Sequence, residues 1–193
     1  MLSHPDGSDA KRLGLSRRLR ALFNTTTMGN TMSHIDDSSL IGQYYGDTAL
    51  VGALAAFGIR KSPHVPRGES DMIILVPELG LAFTLTDERA LEVQCRSYPD
   101  GALVLTNVFF HVMETDRHGA YVGDLPLSLS FCFGKTKLTS CLGEPDVVGL
   151  DGTVMRFDRP QYSISVRTED SGPIAIAGIQ AASKATIKDG VAP

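Results

Sequence analysis

The sequence predicts an α+β fold: an antiparallel sheet of roughly seven or eight strands with two main helices packed on one face. Three observations support this prediction. Runs in which every second residue is apolar outnumber runs with helical spacing. Glycine and proline residues separate these runs at short intervals. The two helix-like stretches do not alternate with single strands, which favours an antiparallel sheet over a parallel one.

Length and composition are typical of a globular domain. The chain has 193 residues, of which 42% are hydrophobic and 21% are charged, enough to bury a substantial core. The uncharged runs fall short of the roughly 18 residues that a membrane-spanning helix needs. The three cysteines lack a C-x-x-C spacing, which fits a reducing compartment.

The net charge of −4 is unevenly distributed along the chain. Residues 1–31 carry five basic and two acidic side chains, whereas residues 32–193 carry 13 basic and 20 acidic ones, a net charge of −7. An acidic body argues against nucleic acid as a partner, because phosphates require a basic surface. It is compatible with a basic protein partner.

Three regions follow from these patterns. Residues 1–35 are predicted to be a poorly ordered basic extension, in which residues 11–23 have the spacing of a short amphipathic helix. A membrane-surface or transit-peptide role is the alternative for this stretch. Residues 36–181 are predicted to form a single domain, comprising unit one (36–98), connecting strands (99–133) and unit two (134–181). Residues 182–193 form a C-terminal tail.

Unit one begins with a helical pattern. N-cap candidates lie at residues 36–39, and Gly46 separates a short first turn from the main helix, residues 47–57. Apolar residues at steps mostly compatible with a helix are Leu40, Tyr44, Leu50, Leu54 and Phe57. Two strands follow, residues 72–76 and a one-sided strand with Leu79, Leu81, Phe83 and Leu85 on its buried face. Pro77, Glu78 and Gly80 mark the hairpin between them.

The connecting region predicts two further strands. Residues 101–114 are rich in β-branched and aromatic side chains. Residues 120–133 contain an alternating set, Leu127, Leu129, Phe131 and Phe133, and Pro126 confines the start of that strand to an edge or a strand entry.

Unit two repeats the helix and hairpin. Thr136 is a candidate N-cap, Leu138 and Leu142 form the core face, and Gly143 with Pro145 ends the helix. One strand carries Tyr162, Ile164 and Val166, and residues 173–181 form the last strand. Pro77 aligns with Pro160 at an offset of 83 residues, and the strands after the two prolines align at the same offset. The match predicts two copies of one helix–hairpin unit.

Motifs of enzymes are scarce in this sequence. It lacks the G-x-S-x-G, P-loop and G-x-G-x-x-G patterns. The cysteines Cys95, Cys132 and Cys141 are interpreted as structural, because Cys141 lies near a helix C-terminus, where the dipole opposes a thiolate. The acid pairs at residues 87–88 and 169–170 are interpreted as solvated ends of strands. No catalytic residue, metal or cofactor is expected.

One stretch keeps an enzymatic alternative open. His111, Glu114, Asp116 and His118 are residue types that bind metals, although their spacing matches no compact motif. The favoured interpretation is a surface hairpin tip. The alternative is a small metal-dependent or hydrolytic enzyme that uses His111, Glu114 and His118.

Several acids fall at predicted strand ends and turns. If the fold gathers them at one rim, they form a negative surface suited to a basic partner. These residues are Asp87, Glu88, Asp100, Glu114, Asp116 and Asp124.

The stretch "YVGDLPLSLSFCFGKTKLTSCLGEPD" resembles bacterial immunity proteins of polymorphic toxin systems, in which a G-x-LP-x-x-L-x-F strand leads into a helix closed by LG-x-P. The matching residues are Gly123, Leu125, Pro126, Leu129, Phe131, Leu142, Gly143 and Pro145. The helix–LGxP–hairpin unit is also similar to the repeat of the β-lactamase-inhibitor proteins. The resemblance implies a cytoplasmic, non-enzymatic protein that binds and neutralises a cognate toxin of a contact-dependent or type VI secretion system.

Overall fold

The structure, a computed structural model, describes residues 37–112, 114, 118–169 and 172–181. The predicted N-terminal extension and C-terminal tail lie outside the described residues. All described residues belong to one compact unit of the chain.

Among the described residues, seven strands form one antiparallel sheet, which confirms the predicted α+β class. Their order across the sheet is β1-β2-β3-β7-β6-β5-β4. The strands are β1 (Asp71–Val76), β2 (Leu81–Asp87), β3 (Leu103–His111), β4 (Val147–Val148), β5 (Val154–Asp158), β6 (Tyr162–Thr168) and β7 (Ile174–Ala181).

In the described part of the chain, two main helices and a single helical turn accompany the sheet. They are α1 (Asp37–Leu40), α2 (Thr48–Ala56) and α3 (Lys135–Leu142). Gly143 ends α3. Its φ of +86° lies in the left-handed region, and its N–H donates to the Thr139 carbonyl at 2.9 Å. None of the helices in the described part of the chain is long and apolar enough to cross a membrane.

The core lies between the helices and one face of the sheet. A single row of paired residues crosses five strands and is almost completely buried: Phe83, Val108, Ile179, Ile164 and Phe157. Leu50 and Leu54 of α2 and Leu138 of α3 belong to the same buried cluster. The Phe57 ring, at the end of α2, lies 5.4 Å from the Phe83 ring. Apolar burial on this scale is the main force that holds the sheet and helices together.

The order of elements is the same on both sides of the sheet centre. α2 precedes β1-β2-β3, α3 precedes β5-β6-β7, and the antiparallel β3–β7 pair joins the two sets. The short β4 is inserted after α3. The hypothesis that the two halves are copies of one sequence unit stays a prediction.

The predicted strand at residues 120–133 is wrong. Pro126–Ser128 form a 3-10 turn, and both Leu127 (φ +59°) and Ser128 (φ +57°) are left-handed. Leu125 and Leu129 are buried whereas Leu127 is 40% exposed, so the predicted alternation does not occur. Proline has no N–H to give to a ladder, and two successive left-handed residues turn the backbone away from extended geometry.

Four smaller expectations also need correction. Leu79 lies in the 3-10 turn Pro77–Leu79, not in a strand. The N-cap of α3 is Gly134 instead of Thr136. Tyr44 lies outside the helices and forms an isolated bridge with Val104 of β3. β2 is buried on both faces, because Ala82, Thr84 and Thr86 are at most 8% exposed.

Candidate partner-binding surface

Three of the predicted rim acids lie together where β2 ends and β3 begins. Asp87 is the last residue of β2. The Glu88 N–H donates to the Ala102 carbonyl at 3.0 Å, which ties the end of β2 to the turn that contains Asp100. Within that turn, the Ala102 N–H donates to the Pro99 carbonyl at 3.0 Å.

Asp87 and Glu88 do not offer free negative charge at this end of the sheet. Arg89 pairs with Asp87 through two contacts, at 2.6 and 2.8 Å, and these hydrogen bonds hold the Asp87 pKa far below its usual range. The same hydrogen bonds raise the pKa of Arg89. Glu88 is only 6% exposed and lies 3.7 Å from the Arg89 guanidinium. The exposed acid of this group is therefore Asp100.

Asp100 lines an open groove of about 270 Å³, called here the Asp100 groove. Two tyrosines and two prolines are among the residues that line it, which are Tyr44, Tyr45, Ser62, Pro63, Pro99, Asp100, Gly101, Ala102 and Leu103. None of the ion pairs between described residues involves Asp100. The groove thus presents one carboxylate beside aromatic and proline surfaces.

Backbone pairing with β3 positions the two tyrosines. The Tyr45 N–H donates to the Leu103 carbonyl at 2.7 Å, and the Leu105 N–H donates to the Gln43 carbonyl at 2.8 Å. Residues 42–45 therefore lie beside the start of β3, with Tyr44 in an isolated bridge to Val104. The groove wall rests on the central sheet, which restricts its movement.

A cationic side chain packs against Tyr44. The Arg96 guanidinium lies 5.2 Å from the ring centroids of both Tyr44 and Tyr98, a cation–π distance. It also pairs with the carboxylate of Asp47, which accepts the Tyr44 N–H at 3.0 Å. Arg96 is thus paired with Asp47 within the protein. Asp100 makes no contact ion pair among the described residues, but its charge acts on Arg89 and helps to raise the pKa of that side chain.

Tyr98 fixes the loop that carries Arg96. Its hydroxyl donates to the Gly42 carbonyl at 2.8 Å and lies 2.9 Å from the Cys95 sulfur. Burial, and then the Cys95 thiol, raise the pKa of Tyr98 to about 12. The phenol therefore stays protonated at neutral pH and keeps donating to Gly42.

The remaining rim acids do not join Asp100. Glu114 and Asp124, both exposed, come after β3, whose nine residues separate its two ends by about 27 Å at roughly 3.4 Å per residue. Asp116 lies outside the described residues. The expected single acidic rim is therefore not formed by the described acids, because β3 places them at opposite ends of the sheet. Their individual roles in partner binding stay predictions.

The histidines of the enzymatic alternative do meet. The His111 and His118 rings are stacked, with centroids 3.9 Å apart and planes inclined by 35°. Burial, and then His118, lower the pKa of His111. Within the described ranges no group of three or more metal-binding side chains occurs. The enzymatic alternative stays an untested prediction.

All three cysteines are free and exposed. Cys132 lies 3.1 Å from the Ser130 hydroxyl, and Cys141 lies in the last turn of α3. The interpretation of these cysteines as unreactive stays a prediction.

Sequence reasoning missed Tyr44, Tyr45, Arg96 and Tyr98 as parts of a site. Their local signal is an aromatic residue beside turn formers, in "QYYGD" and "RSYPDG". That signal does not reveal that two segments some 50 residues apart form one wall.

Comparisons with protein-family models, with curated proteins and with solved structures found no match. The resemblance to immunity proteins therefore rests on the motif residues alone.

Proposed function

We propose that this protein is a non-enzymatic immunity protein that binds a cognate bacterial toxin domain in the cytoplasm and blocks it. The Asp100 groove carries the proposal. A lysine or arginine of a basic partner would meet the Asp100 carboxylate in a groove that Tyr44 and Tyr45 also line. Carboxylate and aromatic surfaces together favour a cationic side chain over a neutral or anionic one.

Charge over the whole body supports the same partner class. Residues 32–193 carry a net charge of −7, which attracts a basic toxin domain during diffusional encounter. Lys61 precedes Ser62 of the groove wall and is exposed, so it opposes a cationic partner locally. Asp100 in the groove and Lys61 beside it are therefore expected to act on a basic partner in opposite directions, and substitutions at the two positions separate their effects.

The motif resemblance supplies the biological context. The LP and LGxP residues lie in the 3-10 turn Pro126–Ser128 and at the end of α3. They shape the fold and leave recognition to other positions. An immunity protein needs such a division, because its contacts must match one toxin while its scaffold stays constant.

The test is protection against, and binding to, the toxin domain encoded beside this gene. Cells that produce the toxin should survive only when this protein is present, and Asp100→Lys should weaken binding about ten-fold. Lys61→Glu should strengthen binding, and Glu144→Lys, an exposed acid after α3, serves as the matched charge control. Affinity is measured by calorimetry and its salt dependence is compared among the variants.

Two results contradict the proposal. Full sensitivity of cells that express the protein would exclude immunity to that toxin. Capture from the source bacterium without any enriched toxin-like protein would exclude the class of partner.

A further inference from the structure

The first strand of the sheet has a free edge. β1 pairs with β2 in a continuous register, from Asp71 opposite Thr86 to Val76 opposite Leu81. No described strand lies on its other side. An edge strand presents backbone N–H and carbonyl groups that another chain can pair with.

The side chains of β1 do not protect this edge. Residues 72–76 are uncharged and contain no proline, and Ile73 and Leu75, on the same face, are 64% and 63% exposed. Natural edge strands are commonly shielded by a charge, a proline, a bulge or a very short length. The opposite edge of the sheet follows that rule, because β4 has only two residues.

Acidic residues flank both ends of the apolar strand. Glu69 and Asp71 lie at its start and Glu78 lies just after its end, and all three are exposed. A second copy of this chain paired antiparallel about Ile74 would set Asp71 opposite Pro77 and beside Glu78 of the other copy. Like charges at both ends disfavour that arrangement.

We propose that β1 accepts an extended segment of a partner protein as an additional strand, and that this segment is apolar in its middle and basic at both ends. Main-chain hydrogen bonds would provide affinity, and the side chains opposite Ile73 and Leu75 would provide register. Charge complementarity with Glu69, Asp71 and Glu78 selects the basic flanks. The proposal deepens the proposed function, on which it rests for the basic character of the partner.

The test uses a fluorescent peptide, Lys-Thr-Val-Thr-Val-Thr-Lys, and the full-length protein. Binding is measured by anisotropy. The same peptide with its central amides N-methylated, and a version with glutamates for both lysines, should each bind about ten-fold more weakly. The methylated peptide tests the backbone pairing without any change in the protein.

Protein variants locate the site. Leu75→Lys should reduce peptide binding about ten-fold. Val122→Lys is the matched control, because Val122 is 75% exposed and lies outside the strands. Equal binding of the methylated and unmethylated peptides, or equal loss in both variants, would overturn the proposal. So would a dimer of the wild-type protein that Leu75→Lys abolishes, since the occupant would then be a second copy.

A final measurement separates this proposal from the proposed function. In a complex with the toxin domain, amide exchange of residues 72–76 should slow. If the toxin binds and exchange there is unchanged, edge pairing is wrong and immunity stands. If the peptide binds at β1 but the protein does not protect cells from the toxin, the proposed immunity function is wrong and the proposal of strand pairing at β1 is retained.

Discussion

The Tyr98 hydroxyl donates a 2.8 Å hydrogen bond to the backbone carbonyl of Gly42, a residue 56 positions earlier in the chain. This contact joins the loop that carries Arg96 to the extended segment that carries Tyr44. It stabilises the shape of the wall next to Asp100, because both segments meet at the start of β3.

Tyr98→Phe removes that hydrogen bond and leaves the Gly42 carbonyl without this donor. We expect the free energy of unfolding to fall by about 1 kcal/mol, measured by urea denaturation. Tyr162→Phe is the control, because the Tyr162 hydroxyl makes no hydrogen bond to any described residue, and its effect should be small. An equal loss in both variants would show that the Gly42 contact adds no stability.

The stacked histidines predict a loss of stability in acid. The pKa of His111 is lowered from 6.5 in the folded protein by burial and by His118. The unfolded chain therefore binds the proton more readily. The neutral form of His111 therefore adds to the free energy of unfolding. This addition is fully present above about pH 6.5 and is lost as the pH falls through the pKa of His111 in the folded protein.

The measurement is the free energy of unfolding at pH 7.5 and at pH 5 in urea. The decrease towards pH 5 should be smaller in His111→Gln than in the wild type, whereas His64→Gln, at an exposed position, should leave it unchanged. A decrease that is the same in all three proteins would rule out His111 as its source.

The packing of α3 predicts that alanine substitutions lower the stability of the protein in proportion to how deeply each leucine is buried. Leu138 is fully buried and Leu142 is half-buried at the edge of the core. Leu138→Ala should cost about 2–5 kcal/mol, and Leu142→Ala about 1–2 kcal/mol because less apolar surface leaves the core. Thermal and urea unfolding measure both values.

The neighbouring Cys141 provides the control for α3. Cys141 is exposed, so Cys141→Ser should leave stability and partner binding nearly intact. Loss of binding in a folded Cys141→Ser protein would contradict the structural interpretation of this cysteine.

The β1–β2 turn predicts that Gly80 tolerates no side chain. Gly80 has φ +65°, and an added Cβ would lie 2.4 Å from the Tyr121 nitrogen and 2.6 Å from the Gly119 carbonyl oxygen. Gly80→Ala should therefore cost more than the roughly 1–2 kcal/mol of a left-handed alanine alone. Gly58→Ala is the matched control, because Gly58 has φ +82° with open space around its Cβ position. A smaller loss at Gly80 than at Gly58 would contradict this packing.

Local signals in the sequence predicted most of the regular elements. β3 follows from β-branched and aromatic content, β6 from the alternation of Tyr162, Ile164 and Val166, and the end of α3 from a glycine stop at Gly143. Each of these signals depends on neighbouring residues only. Residues 120–133 also alternate, yet the chain turns at Leu127 and Ser128. An alternating pattern does not reveal whether a neighbouring strand is available for backbone hydrogen bonds. Here Leu125 and Leu129 are buried in the core although they lie in an irregular segment.

The sequence by itself determined the antiparallel α+β class, the acidic balance of the body and the apolar character of β1. These depend on composition and on short-range periodicity. Only the tertiary structure decided which acids are paired by direct contact and which stay exposed, because the state of each carboxylate depends on its neighbours in space. Arg89 engages Asp87 and Glu88, Arg96 pairs with Asp47, and Asp100 is left exposed beside Tyr44 and Tyr45.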